Sequence, residues 1–103
     1  MSRLRKKRVR WSASNDSDVE AYRVYWVVGE GVDYDSDSTD VGNVTSIILP
    51  DDIPSFPLIA DEVELGVTAV NQAGNESDMI KFSTLFNFTA PEAPVGLVVE
   101  DVD

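Results

Sequence analysis

Apolar and polar residues alternate along several short stretches of the chain. In the clearest stretch, 63–70, the residues of one face are Val63, Leu65, Val67 and Ala69. A period of two is typical of a strand with one face in a core. Residues 71–78 then break the pattern with Asn, Gly and Ser, which favour a turn. The sequence therefore predicts a strand followed by a turn at this point.

The same alternation, and for 44–49 a β-branched apolar composition, predicts further strands on both sides of this one. They are 8–14, with Val9, Trp11 and Ala13 on one face; 21–28, with Tyr22, Val24 and Trp26 facing in; 44–49; and 80–88, with Ile80, Phe82, Phe86 and Phe88 on one face. Part of the polar loop 29–42 is expected to pair as a short edge strand. Two prolines exclude a central strand over 51–62, and we expect Phe56, Leu58 and Ile59 to fold back over the core.

Length and composition restrict the chain to a few classes of protein. A chain of 103 residues is one domain by length and suits an all-β sandwich. No apolar run approaches the roughly 20 residues that span a bilayer, and no apolar segment follows the basic N-terminus to make a secretory signal. Cys and His are absent, which removes disulfides, thiolate nucleophiles, imidazole bases and the usual zinc sites. We therefore predict that the chain is not an enzyme and has no cofactor.

Charge is divided sharply along the chain. The first ten residues carry six basic side chains and no acid, whereas the remainder carries two basic side chains against 19 acids. The net charge is −11. An acidic body repels phosphates, so nucleic acid is not an expected partner. We expect the basic residues 3–10, most of which lie in the basic arm 1–7, to pair with the acidic loop 33–40 or with a neighbouring molecule. A membrane-proximal or nucleic-acid-binding patch is the less favoured alternative.

These stretches resemble the fibronectin type III family, in the form found in bacterial surface proteins. Strand 63–70 and its turn are similar to the family's F strand and F–G loop. Trp11 resembles the core Trp of strand B, and the Tyr22-x-Val24-x-Trp26 pattern resembles strand C. The family's strand F tyrosine is replaced by Val63, so its tyrosine corner is missing. The resemblance implies an immunoglobulin-like β-sandwich of two antiparallel sheets over 8–88, usually a scaffold or spacer.

The family's first strand is missing from its usual place. Residues 95–103, which follow the Pro-containing linker 89–94, resemble the start of strand A, and nothing before Arg8 is predicted to serve as that strand. We expect this tail to pair with the open edge of strand B in the next copy, and head-to-tail repetition then gives an open filament. The expected interface residues are Val95, Leu97, Val99, Val9 and Trp11.

Two other interpretations of the tail stay open on the sequence alone. It could dock within its own chain, although the linker is barely long enough to let it cross the sandwich. Alternatively, the sequence could be an excerpt of a tandem array, in which case the tail begins the next repeat.

Two groups of residues are candidate binding sites. Carboxylates alternate in the polar loop and could wrap a calcium ion, although the EF-hand template fails at Ser38 and Val44; the alternative is a solvated acidic loop. The B–C and F–G loops of the family share a pole and often contact ligands, so protein or carbohydrate could bind there; the alternative is a pair of ordinary polar connections. The candidate calcium ligands are Asp33, Asp35, Asp37 and Asp40; the candidate ligand-loop residues are Asn15, Asp16, Asn71, Asn75 and Glu76.

The predicted function is structural. The chain is expected to be a non-enzymatic subunit that assembles with copies of itself into a surface filament or appendage. The alternatives are an extracellular adhesion, binding or spacer domain from a tandem-repeat protein, and a virion decoration protein. The expected location is therefore extracellular, at the cell surface or on a virion.

Overall fold

Six strands and no helix make up the computed structural model, which describes residues 5–102. Helices able to cross a membrane are therefore absent from this range. The strands are β1 (Lys7–Arg10), β2 (Val19–Val28), β3 (Asp37–Gly42), β4 (Ser46–Leu49), β5 (Asp61–Asn71) and β6 (Ile80–Phe86). The predicted all-β class is confirmed, and β3 is the edge strand expected within the polar loop.

The strands form two antiparallel sheets. One sheet has two strands in the order β1–β4, and the other has four strands in the order β3–β2–β5–β6. In the first sheet Val9 lies opposite Ile47, and in the second Val24 lies opposite Val67. These residues belong to or pack against one hydrophobic cluster, so the two sheets face each other across a single core. The arrangement is a β-sandwich.

Strand β2 owes its central position to alternating large apolar side chains. Tyr22, Val24 and Trp26 are buried, as their spacing predicts. Tyr25, which points to the other face, is also buried, and this was not predicted. It is covered because the ring of Tyr34 packs edge-on against it at 5.9 Å between centroids. Its hydroxyl donates a hydrogen bond to Glu76 Oε1.

The segment between β4 and β5 closes one end of the core. Phe56 is buried, as expected, and its ring contacts those of Trp26, Phe86 and Phe88 at centroid distances of 5.7, 5.5 and 5.9 Å. The expectation for Leu58 and Ile59 was wrong, because both are exposed. Ile53 is buried instead, since backbone hydrogen bonds from Ile53 N to Pro50 O and from Phe56 N to Ile53 O fold this segment into successive turns.

The strand predicted over 80–88 ends at Phe86, and two other predicted strands are also shorter than the pattern indicated. The first ends at Arg10, and Ala13 is exposed because the chain enters a turn in which Asp16 N donates to Ser14 Oγ. The fourth begins at Ser46, so Val44 lies outside it and is exposed. Both differences are at strand ends, where polar side chains compete for backbone hydrogen bonds.

The C-terminal tail, residues 95–102, forms no strand and pairs with no strand of the described chain. Leu97 is 97% exposed and Val99 is 91% exposed. The described chain measures 70 × 25 × 23 Å. Since the longest strand has 11 residues, or about 37 Å, the tail projects beyond the sandwich.

Candidate functional site

An open groove runs between the edges of the two sheets. β1 pairs with β4 on one side only, and β6 pairs only with β5, so each is an edge strand in the described part of the chain. Their free edges border a common groove of about 440 Å³. The lining residues are Lys7, Arg8, Val9, Arg10, Leu65, Phe82, Thr84, Leu85 and Phe86. An unpaired strand edge beside apolar side chains is a template for strand addition.

Apolar residues of the core-facing side of β6 are uncovered along this groove. Phe82 lies opposite Leu65 and Ile80 lies opposite Val67, and in each pair the β5 residue is buried. Residues directly opposite in a sheet share a face, so Phe82 and Ile80 point toward the core side. They are nevertheless 68% and 61% exposed. The second layer of the sandwich therefore stops short of this edge.

Trp11 extends the apolar wall beyond the end of β1. Its backbone N donates to Thr45 O at 3.0 Å, and its ring packs against that of Tyr22 with centroids 5.8 Å apart. A smaller hollow of about 120 Å³ lies between Trp11 and Ile80. The indole Nε1 is buried and has no hydrogen-bond partner within residues 5–102. Val9 thus lines the groove and Trp11 lines the hollow, and their predicted role at an interface stays a prediction.

The rim of the groove is positively charged. Among the described residues, no carboxylate lies within ion-pair distance of Lys7, Arg8 or Arg10. The basic arm was expected to pair with the acidic loop. Its described part pairs elsewhere: Lys6 Nζ lies 2.8 Å from Asp51 Oδ2, because β1 starts where β4 ends. Residues 1–4 of the arm lie outside the described residues.

The tail carries apolar and acidic side chains, which complement the apolar and basic side chains of the groove. Val95, Leu97 and Val99 stand at alternate positions of the sequence and are almost fully exposed, and Glu100 and Asp101 follow them. These three apolar residues were predicted at an interface. In the single chain the tail does not occupy the groove of its own sandwich. Docking on another molecule therefore stays a prediction.

The four candidate calcium ligands do not converge. Asp33 Oδ1 accepts a hydrogen bond from Asp35 N at 2.9 Å, and Asp40 Oδ1 lies 2.6 Å from Arg23 Nε. Asp37 begins β3. Across residues 5–102 there is no group of three or more His, Cys, Asp or Glu that could hold a metal ion. Calcium binding by this loop stays a prediction without a preformed site.

The two candidate ligand loops do meet at one pole. Asp16, Asn71, Asn75 and Glu76 border a shallow depression of about 210 Å³, whereas Asn15 is not part of its lining. The turn is held internally, because Asn71 Oδ1 accepts from Asn75 N at 3.0 Å. The predicted pole is thus formed, and ligand binding at it stays a prediction.

A partly buried polar network, which sequence patterns did not indicate, connects this turn to the sheet. Glu76 Oε1 accepts hydrogen bonds from Arg23 Nη1 at 2.7 Å and from the hydroxyl of Tyr25. The bond to Asp40 is the main cause that raises the pKa of Arg23, and desolvation by burial followed by the bond to Glu76 raises that of Tyr25. Glu76 is therefore a structural group whose carboxylate already has partners.

We expect the Glu76→Ala variant to be less stable by about 1–3 kcal/mol, because the buried hydroxyl of Tyr25 and the guanidinium of Arg23 lose their acceptor. Urea unfolding at neutral pH measures this loss. Asp35→Ala, a change in the exposed loop, is the matched control and is expected to stay within about 0.5 kcal/mol of the parent chain. Equal stability of the two variants would contradict a structural role for Glu76.

The groove offers backbone pairing, apolar burial and positive charge. These are the elements of a protein-docking surface that recognises an extended segment. Comparison of the chain with protein-family models, with curated proteins and with solved structures found no match.

Proposed function

We propose that the chain is a non-enzymatic structural subunit whose copies join head to tail, with the tail of each copy filling the groove of the next. One observation carries this proposal. Phe82 in the groove and Ile80 in the hollow beside Trp11 are exposed on the core-facing side of β6, while Leu97 and Val99 are exposed in the tail of the same chain. A strand added along β1 buries both sets together. The assembly that results is a filament or appendage of a cell surface or virion.

The sheet order supports the fibronectin type III assignment within this proposal. The orders β1–β4 and β3–β2–β5–β6 correspond to the family's B–E and C′–C–F–G sheets with strand A left out. Strand A of that family lies beside strand B, which is the free edge of β1. If the chain is a fibronectin type III domain, the groove is therefore the position of its strand A.

The path of the chain favours docking on another copy. Arg5 N donates a hydrogen bond to Phe88 O, so the chain leaves the sandwich at the end where β1 begins. To lie antiparallel to β1 in its own domain, the tail would first have to travel the full height of the sandwich. Docking on the next copy needs no such crossing. The tail and the groove are different surfaces of one chain. Each copy can therefore insert its tail into one neighbour while its groove binds the tail of another, and the assembly stays open.

The contact is expected to be reversible and dependent on concentration. A single short strand makes a smaller interface than the roughly 1,600 Å² that is usual for stable complexes. Ordering the tail also costs conformational entropy, about 1–2 kcal/mol for each residue. These costs offset much of the gain from apolar burial and backbone pairing.

Sedimentation velocity over a range of concentrations, with electron microscopy of the most concentrated sample, tests the proposal. We expect a mass that grows beyond two copies as concentration rises, and linear particles on the grid. A chain that stays at 11.3 kDa at millimolar concentration would overturn the proposal. A mass that stops at two copies would also overturn it, because a reciprocal exchange closes the assembly.

A further inference from the structure

We propose that the tail docks antiparallel to β1 of the next copy in one register, with Asp101 opposite Lys7 and Glu100 opposite Arg8. This inference rests on the proposed function and defines its interface. Lys7 and Arg8 line the groove and have no ion-pair partner in the described chain. Opposite charges placed directly across two strands stabilise their pairing.

The side of β1 that faces the core fixes which tail residues point inward. Val9 lies opposite the buried Ile47 and Lys7 lies opposite the buried Leu49, so Val9 and Lys7 share the inward face. Alternation places Trp11 on the same face. The odd-numbered residues of the tail from 95 to 99 are apolar and Asp101 is acidic, and the proposed register sets Leu97, Val99 and Asp101 beside matching partners. The inward pairs are Val9 with Val99, Trp11 with Leu97, and Lys7 with Asp101.

In the same register, the outward-facing residues of the tail also lie beside suitable residues of β1. Arg8 lies beside Glu100, and Arg10 lies beside Val98, where its side-chain stem can cover the valine while its charge stays in water. Both faces of the added strand are therefore compatible with β1. In this position Leu97 and Val99 cover the exposed side chains of Ile80 and Phe82 across the groove.

Other registers place charge against apolar side chains. A slip of two residues sets Val99 against Lys7 in one direction, or Asp101 against Val9 in the other. A slip of one residue turns the apolar face of the tail to solvent. Neither slip keeps both the apolar contacts and the two ion pairs.

Parallel docking is excluded by the same argument. If Val99 lies beside Val9 in a parallel arrangement, Glu100 and Asp101 extend past Arg10 to Trp11 and toward the pole that carries Asp16 and Asp78. Glu100 then lies beside Arg10, but Asp101 lies beside Trp11, and both Lys7 and Arg8 are left without an acid. The antiparallel arrangement places both acids at the basic end of β1 instead. It also makes the tail enter at the pole opposite to the one from which it left its own copy, so successive sandwiches stack along one axis.

Reciprocal charge reversal in the full chain tests the ion pairs. We expect Lys7→Glu with Arg8→Glu to weaken association about tenfold or more, and Glu100→Lys with Asp101→Lys to do the same. All four substitutions in one chain exchange the signs, keep the net charge at −11 and are expected to restore association to within about threefold of the parent chain. Association constants from sedimentation equilibrium at fixed low salt give the comparison.

The outcomes separate this inference from the function on which it rests. If the parent chain associates but the fourfold variant associates as weakly as the two double variants, the register is wrong while the proposed function stands. If the parent chain does not associate at all, the proposed function fails first.

Engineered cysteines provide a second test of the register, and the chain has no Cys of its own. Chains with Arg10→Cys mixed with chains with Val98→Cys are expected to form a disulfide-linked pair under mild oxidation, because these positions lie directly opposite. Val98→Cys is replaced by Glu100→Cys in the matched control, since parallel docking would set position 100 opposite position 10. Faster cross-linking in the control would overturn the antiparallel register.

Discussion

The variant with Leu97→Asp and Val99→Asp is expected to fold like the parent chain and to remain a monomer. Both side chains are more than 90% exposed in the single chain and support no contact of the sandwich. In the assembly, two carboxylates would instead enter an apolar groove beside Phe82, where an uncompensated charge is strongly unfavourable. The expected loss of association is complete at concentrations where the parent chain assembles.

Sedimentation velocity and circular dichroism of the same samples check this prediction. Val98→Asp with Val102→Asp is the matched control, because it adds the same charge to the outward face of the tail. We expect the control to assemble and both variants to keep the β-sheet spectrum of the parent chain. Assembly of the first variant at the parent level would contradict the docking of these two side chains.

The Phe56→Ala variant is expected to lose about 3–5 kcal/mol of unfolding free energy. Phe56 is buried, and its ring contacts those of Trp26 in β2, Phe86 in β6 and Phe88 after β6. Truncation removes these contacts and leaves a cavity at the end of the core. The loss is a large part of the roughly 5–15 kcal/mol that is usual for a domain.

Chemical unfolding followed by tryptophan fluorescence measures this effect, since Trp26 lies against Phe56. Leu58→Ala is the matched control, because it removes a side chain from the same segment that is 59% exposed, and we expect it to cost no more than about 0.5 kcal/mol. If the two variants were equally stable, Phe56 would not be the residue that closes the core.

Period-two alternation was enough to predict the strands and the central part of the core. Tyr22, Val24 and Trp26 are buried as expected because β2 lies between two neighbours and under the opposite sheet. The same rule assigned Phe82 to the core side correctly but could not show that it would be exposed. Alternation defines which face a side chain points to, whereas burial also depends on whether another layer reaches that position.

Residues between strands were harder to predict for a similar reason. Leu58 and Phe56 are both apolar and lie two positions apart, yet only Phe56 is buried, because the turns after Pro50 decide which side chain meets the core. The role of Glu76 was missed because its partners, Arg23 and Tyr25, are about fifty residues away along the chain. Such a contact leaves no local pattern in one sequence.

The residues predicted at the interface lie in different places. Val9 lines the groove and Trp11 lines the hollow of about 120 Å³, whereas Val95, Leu97 and Val99 are exposed in the tail. Lys7 was assigned to the basic arm, although it belongs to β1 and lines the groove. Its position became clear only from the register of β1 with β4.

A mixture of two variants, one altered in the tail and the other in the groove, tests head-to-tail docking most directly. Leu97→Asp with Val99→Asp disables the tail but leaves the groove, and Phe82→Asp disables the groove but leaves the tail. Each variant alone is expected to sediment at the monomer mass of 11.3 kDa, and an equal mixture is expected to form a one-to-one complex of twice that mass. A mixture that stays at the monomer mass while the parent chain assembles would contradict this account.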